Sequence, residues 1–244
     1  MSLKKIWTIL GIASWVGLFS ACDMLEGAYD DTVDGGGNSG TGNGSSQQND
    51  SVMTNDSTLV SIKSGQYYIN ATSYTQWVYI NLHGDSLAIT TSTINLEDST
   101  ESGAPQEWDF AQHRYDVKTN GASVMMTNYH SIEELETAGL PAEPLWVEDE
   151  WSDASITIDM SHMMEGYLTY APGYKNKEAG KWLNMDLSTM PPIYTMYDNV
   201  MLYRFSDSTY AAVQLVDFMS NDRYQTKGWM TVNYKYPLFA EAKN

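Results

Sequence analysis

From about residue 60 to the C-terminus of this 244-residue chain, apolar and polar side chains alternate in short runs punctuated by Gly, Pro, Asp and Ser. A strand puts successive side chains on opposite faces, so this pattern suits half-buried sheets and leaves little of the chain for helices. Ser155-Ile156-Thr157-Ile158-Asp159 alternates strictly. Trp77 to Leu82 reads as a strand entering a turn at His83-Gly84-Asp85, with Ser86 to Thr90 as its partner. Gly166 to Tyr170 leads to Pro172-Gly173, a turn signal. Val200 to Phe205, Tyr210 to Phe218 and Lys227 to Tyr236 predict three closing strands, the first two joined by Ser206-Asp207-Ser208. Of the chain's 8 Trp and 17 Tyr, 6 Trp and 16 Tyr lie beyond residue 59 and favour the same architecture. One short helix is predicted over Ser131 to Ala138, opening Ser-x-x-Glu and stopped by Gly139 and Pro141. The expected fold is all-β: a single antiparallel β-rich domain with a minor helix.

Such a domain must be stabilised by burial alone, because Cys22 is the only cysteine and no disulfide can form within the chain. A multi-Cys zinc or iron–sulfur site is excluded on the same ground. Ahead of Cys22, Lys4 and Lys5 precede an apolar run from Ile6 to Phe19 that is too short and too interrupted to span a bilayer. Leu18-Phe19-Ser20-Ala21-Cys22 is similar to the lipobox of bacterial lipoproteins, with Phe19 where that pattern usually has Leu. The expectation is a signal peptide over 1–21 and a mature chain starting at an acylated, palmitate-bearing Cys22. Residues 22–58 then form a Gly-, Ser-, Asn- and Asp-rich linker that cannot bury enough surface to offset its ordering entropy. Its typical span is roughly 30–35 Å. The predicted domain occupies 59–244.

With Lys4 and Lys5 removed, 11 basic residues face 31 acidic ones, a formal charge of −20. Nucleic acid needs a basic face and is excluded as a partner. Anionic headgroups are disfavoured equally, so membrane attachment would rest on the lipid anchor alone. No G-x-S-x-G, H-E-x-x-H, Walker A or G-x-G-x-x-G motif is present, and no enzyme activity is expected. The run Glu148 to Asp153 reads as a solvated acidic loop. Asp109 and Asp116 flank Arg114 as a candidate internal salt-bridge set. His113 reads as a structural histidine, and His83 and His130 as loop residues.

One echo carries chemistry. Asp159-Met160-Ser161-His162-Met163 and Asp186-Leu187-Ser188-Thr189-Met190 share Asp-x-Ser-x-Met, the second running into Pro191-Pro192. Two thioethers in matching settings are soft, uncharged donors suited to a soft metal centre such as haem iron. In a Met-rich β-domain the competing reading is core filling. His162 is a further candidate ligand, although in a strict strand alternation it would face away from Met163.

Ala71 to Tyr79, Trp108-Asp109-Phe110-Ala111-Gln112-His113-Arg114-Tyr115-Asp116, Lys181-Trp182-Leu183, Met190-Pro191-Pro192-x-Tyr194 and Val232 to Pro237 together resemble the HmuY-like haem-binding lipoproteins. The resemblance implies an all-β haemophore, anchored on the outer membrane or shed from it. Such a protein takes haem from host haem proteins and passes it to a TonB-dependent outer-membrane transporter. One histidine of the family's founding bis-histidine site falls on Leu187, so that site is absent here in its original form. The resemblance instead implies axial ligation by Met163 and Met190, with Met164 and Met185 as alternates. Tyr167 and Tyr194 are the expected pocket walls, with Tyr170, Trp182 and Tyr197 close by in sequence. The alternative reading is a surface glycan-binding β-sandwich lipoprotein that uses Trp and Tyr platforms. A structural or adhesive surface protein is a third.

Overall fold

The computed structural model describes residues 59–186, 188 and 191–239. The predicted signal segment 1–21, Cys22, the linker to residue 58, Leu187 and Met190 lie outside the described residues. The chain order is β1 (Leu59–Lys63), β2 (Gln66–Asn70), β3 (Gln76–Asn81), β4 (Ala88–Ile94), β5 (Glu101–Ser102), β6 (Phe110–His113), β7 (Asp116–Thr119) and β8 (Ser123–Met126). After helix α1 (Ile132–Ala138) come β9 (Glu150–Asp159), β10 (Thr169–Lys175), β11 (Leu183–Asp186), β12 (Ile193–Met196), β13 (Met201–Arg204), β14 (Tyr210–Met219) and β15 (Lys227–Lys235).

Period-two alternation is what layers these strands. Val78 and Ile80 of β3 pack with Tyr67, Met201, Val213 and Val232, filling the space between a five-stranded sheet (β5-β4-β3-β6-β7) and a six-stranded one (β1-β2-β15-β14-β13-β8). Trp77 and Tyr79, the intervening residues, face the other way and are covered by Ile156, Ile158 and Ala171 of the β9–β10 hairpin. On β13 and β14, Leu202 and Ala212 likewise turn outward to meet Ile132 and Leu135 of α1. The β11–β12 hairpin forms a further two-stranded unit. All the pairings within these sheets are antiparallel.

The helix forms as its caps predict. Ser131 Oγ accepts from the Glu134 N–H at 3.2 Å, and Gly139 ends the helix at φ 77°. Glu134 reaches back to the His130 N–H, one residue before the cap.

Three expectations fail locally. Pro172-Gly173 is not a turn: β10 runs through it with a register shift between Ala171 and Gly173. An exposed Pro on a two-stranded ribbon loses no ladder bond at a bulge. The acid–arginine set does not form either, because Arg114 turns the chain at φ 52° and its guanidinium leaves the strand faces to lie 4.0 Å over Tyr74. Asp109 instead accepts from the Leu82 N–H and meets His83 Nδ1 at 2.6 Å, while Asp116 pairs with Lys175 at 2.7 Å. Finally, Glu150 to Asp153 open β9 rather than a loop. Ahead of them Asp149 accepts from the Thr119 N–H at 2.6 Å and from Asn176 Nδ2 at 3.0 Å. Burial pushes its carboxyl above the ordinary range.

Candidate functional site

Each copy of the echo begins on the last residue of the outgoing strand of a hairpin. Asp159 ends β9 and Asp186 ends β11. Asp159 Oδ1 accepts from the Ser161 N–H at 2.8 Å, and Asp186 Oδ1 from the Ser188 N–H at 2.9 Å. Both are Asx turns, in which the carboxylate imitates a backbone carbonyl and bends the chain out of the ladder. Bonds from the backbone and then the hydroxyl of Ser161 hold Asp159 below the ordinary carboxylate range; at Asp186 the hydroxyl of Ser188 ranks first and its N–H second. The repeated Asp-x-Ser is thus a device that starts a loop.

Beyond Ser161 the first loop winds into a 3₁₀ turn, Met163–Glu165, closed by Gly166 at φ 91°, a left-handed conformation that glycine adopts without strain. Strand alternation therefore does not govern His162. Its ring stacks on Tyr167, with centroids 4.7 Å apart and planes 14° from parallel, and its Nδ1 lies 3.2 Å from Glu165. Met163 and Met164 are 44% and 84% exposed, which removes the core-filling reading for both. Tyr167 and Tyr170 are exposed beside them.

In the second hairpin Met185 is opposite Tyr194 in the β11–β12 register, and Met185 is 39% exposed. Tyr194 is partly buried: it stacks at 5.8 Å on Phe218 and meets Tyr115 edge-on at 5.6 Å. Lys227 Nζ sits 5.1 Å from the centre of the Tyr194 ring. Ile193 and Tyr197 are exposed on the same hairpin. Eight of the fourteen exposed large apolar side chains among the described residues fall between 163 and 197, so solvent-facing apolar surface is concentrated on the two hairpins.

Their connection is rigidly held. Buried Asn176 accepts from the Ala179 and Glu178 N–H groups at 2.9 and 3.1 Å, and donates to the Val147 carbonyl at 3.1 Å. Trp182, fully buried, donates Nε1 to the Tyr115 carbonyl at 3.1 Å. Tyr197 closes the base of the second hairpin on the Trp182 carbonyl at 2.9 Å. The sequence reading named Trp182 but missed Asn176, Ile193 and Lys227. An Asn three residues before Ala179 is a local cap signal that was legible; the Lys227 placement depends on a strand thirty residues further on. Among the described residues, no group of three or more His, Cys, Asp or Glu gathers to hold a metal ion.

The described domain is a layered antiparallel β-fold whose two hairpins present thioethers and aromatic rings to solvent. The chain belongs to the HmuY family, whose model matches residues 73–234. Among solved structures it is similar to a candidate lipoprotein from Bacteroides fragilis, at 45% identity over 70% of this chain and 88% of that one, with a TM-score of 0.64. A candidate HmuY-like haem-binding protein from Bacteroides vulgatus is 42% identical over 70% of this chain and 91% of that one, with a TM-score of 0.61. The apo HmuY analog of Tannerella forsythia, at 21% identity, 69% and 93% coverage and a TM-score of 0.53, shares the fold. No curated protein matches.

Proposed function

We propose that this chain is a haem carrier of the cell surface. In this reading Cys22 is lipidated in the outer membrane, haem is captured between two axial methionines, Met163 and Met190, and the cargo passes to a TonB-dependent transporter. The observation that carries it is the pair of Asx-turned hairpins, each leading into a methionine of the shared motif, in a chain of this family.

The chemistry of the described residues fits the cargo. Haem is flat and mostly apolar, so burial of its macrocycle against Tyr167, Tyr170 and Tyr194 would supply most of the binding free energy, at roughly 25 cal/mol per Å² of apolar surface. Thioethers are neutral and reach far on unbranched stems, so Met163 can adjust to iron without a proton leaving. Met164 and Met185 remain alternates, and both are exposed. His162 is engaged by Tyr167 and Glu165 and serves as a wall in this reading. Lys227, beside Tyr194, is a cation placed to meet a propionate.

Haem titration of the full mature chain tests the proposal. A red-shifted Soret band with low-spin bands on reduction is expected, lost in M163A and M190A and retained in H162A. Retention of those bands in both methionine variants would overturn the ligand assignment, and no Soret shift at all would overturn haem binding.

A further inference from the structure

A concavity of about 700 Å³ lies against the outer face of the five-stranded sheet at the base of the β9–β10 hairpin. Its Trp151 end is set back from the loop bearing Met163, while Ile156, three residues before Asp159, also lines it. Trp151, which lines it, lies eight residues back along β9 from Asp159, roughly 26 Å at about 3.3 Å per residue. Ligand sites commonly run from roughly 300 to 1,000 Å³.

Its lining selects a chemistry by exclusion. At the covered end, the Lys118 ammonium lies 4.3 Å from the centre of the Trp77 ring and 4.8 Å from that of Tyr79, and donates to Glu101 at 2.8 Å. Paired with Glu101, that charge is neutralised within the cleft, and Asp149 and Glu148, which also line it, repel an anionic ligand. Polar capacity remains for a neutral molecule. Lys118 has three N–H donors, of which Glu101 takes one; Glu148 is exposed with no ion pair among the described residues; and Asn120, whose Nδ2 donates to the Trp108 carbonyl at 2.9 Å, keeps its Oδ1 as an acceptor.

The other requirement is an apolar face on the ligand. Trp151 and Tyr174, 55% and 54% exposed, stand edge to face at 5.0 Å across the β9–β10 register. Trp151 Nε1 is tied to Asp153 at 3.1 Å, so its ring is oriented before any ligand arrives. A pyranose has both properties, a C–H face for the rings and hydroxyls that donate and accept. We infer that this cleft binds a short neutral oligosaccharide. The site is separate from the haem reading and stands without it.

The test uses the full mature chain in detergent, titrated with maltotriose, cellotriose and triacetylchitotriose at millimolar concentration, with Trp fluorescence and calorimetry as readouts. Trilysine and trigalacturonate serve as charged comparators. Saturable binding of at least one neutral trisaccharide is expected, weakened about tenfold in W151A and several-fold in E148Q, with the haem Soret titration and the thermal midpoint of both variants unchanged. Four results would each overturn the inference: no neutral sugar binds, only a charged comparator binds, W151A binds as the wild type does, or haem displaces the sugar.

Discussion

Asp159 and Asp186 occupy equivalent positions in two different hairpins: each is the last residue of the outgoing strand, and each turns its carboxylate onto the N–H two residues on, at 2.8 and 2.9 Å. The Asx turn fixes where the first loop leaves its ladder, and with it the start of the segment that carries Met163.

Removing that turn should loosen the loop and leave the fold alone. In D159A, haem affinity is expected to fall about five- to tenfold, in line with about 1 kcal/mol for a hydrogen bond that orders a loop. The thermal midpoint should fall by no more than about 2–4 °C, the shift that about 1 kcal/mol gives in a domain of this size. Paired haem titration and calorimetry check it; a large drop in midpoint would show that the carboxylate holds the domain together instead.

Methionine ligation favours ferrous over ferric iron relative to histidine. Haem bound to the wild-type chain is therefore expected to bind at least tenfold more tightly in dithionite than in air. Equal affinities in the two Soret titrations would count against two thioethers.

Asn176 is fully buried and serves the Glu178 and Ala179 N–H groups, the Val147 carbonyl and Asp149 at once. N176A leaves the Glu178 and Ala179 N–H groups without this partner and takes one donor each from the Val147 carbonyl and Asp149, which keep Val124 and Thr119, a cost of about 2–4 kcal/mol. Urea unfolding of N176A should show that loss with an unchanged m-value.

His113 sets an acid limit on stability. Burial pushes its imidazole below the ordinary value of 6.5: Nε2 lies 2.8 Å from the Tyr74 carbonyl, and Nδ1 is buried with no hydrogen-bond partner among the described residues. A second ring proton would have nowhere to go. Because the folded value lies below the unfolded one, the stability contribution is complete above about 6.5 and declines as pH falls through that value toward the folded one. Urea midpoints measured at intervals from neutral pH downward should therefore decline for wild type and decline less steeply for H113Q. Parallel slopes would assign the acid sensitivity to other groups.

How much of this was legible in the sequence depended on range. The capped helix at Ser131, the three closing strands and the strand ending at Asp159 were readable because each rests on residues within a few positions of one another. The echo was readable for the same reason: an Asp and a Ser two apart suffice to make an Asx turn. The direction of His162 was argued on strand alternation, and a 3₁₀ turn stands there instead. Asp109 was misassigned because its partner, His83, comes from a different strand end 26 residues earlier.

Residue order by itself determined the antiparallel β-class, the helix and its caps, the loop-starting turns and the methionines that follow them. These are local contests between backbone and nearby side chains, decided by period and hydrogen-bonding reach. Only the tertiary structure decided that the β9–β10 hairpin covers the outer face of Trp77 and Tyr79, that Met163 and Met164 stay in solvent, and that Lys118 sits under two aromatic rings beside Glu101. Those outcomes depend on which surfaces, far apart in the chain, gain most by leaving water together, and no spacing along the sequence encodes that balance.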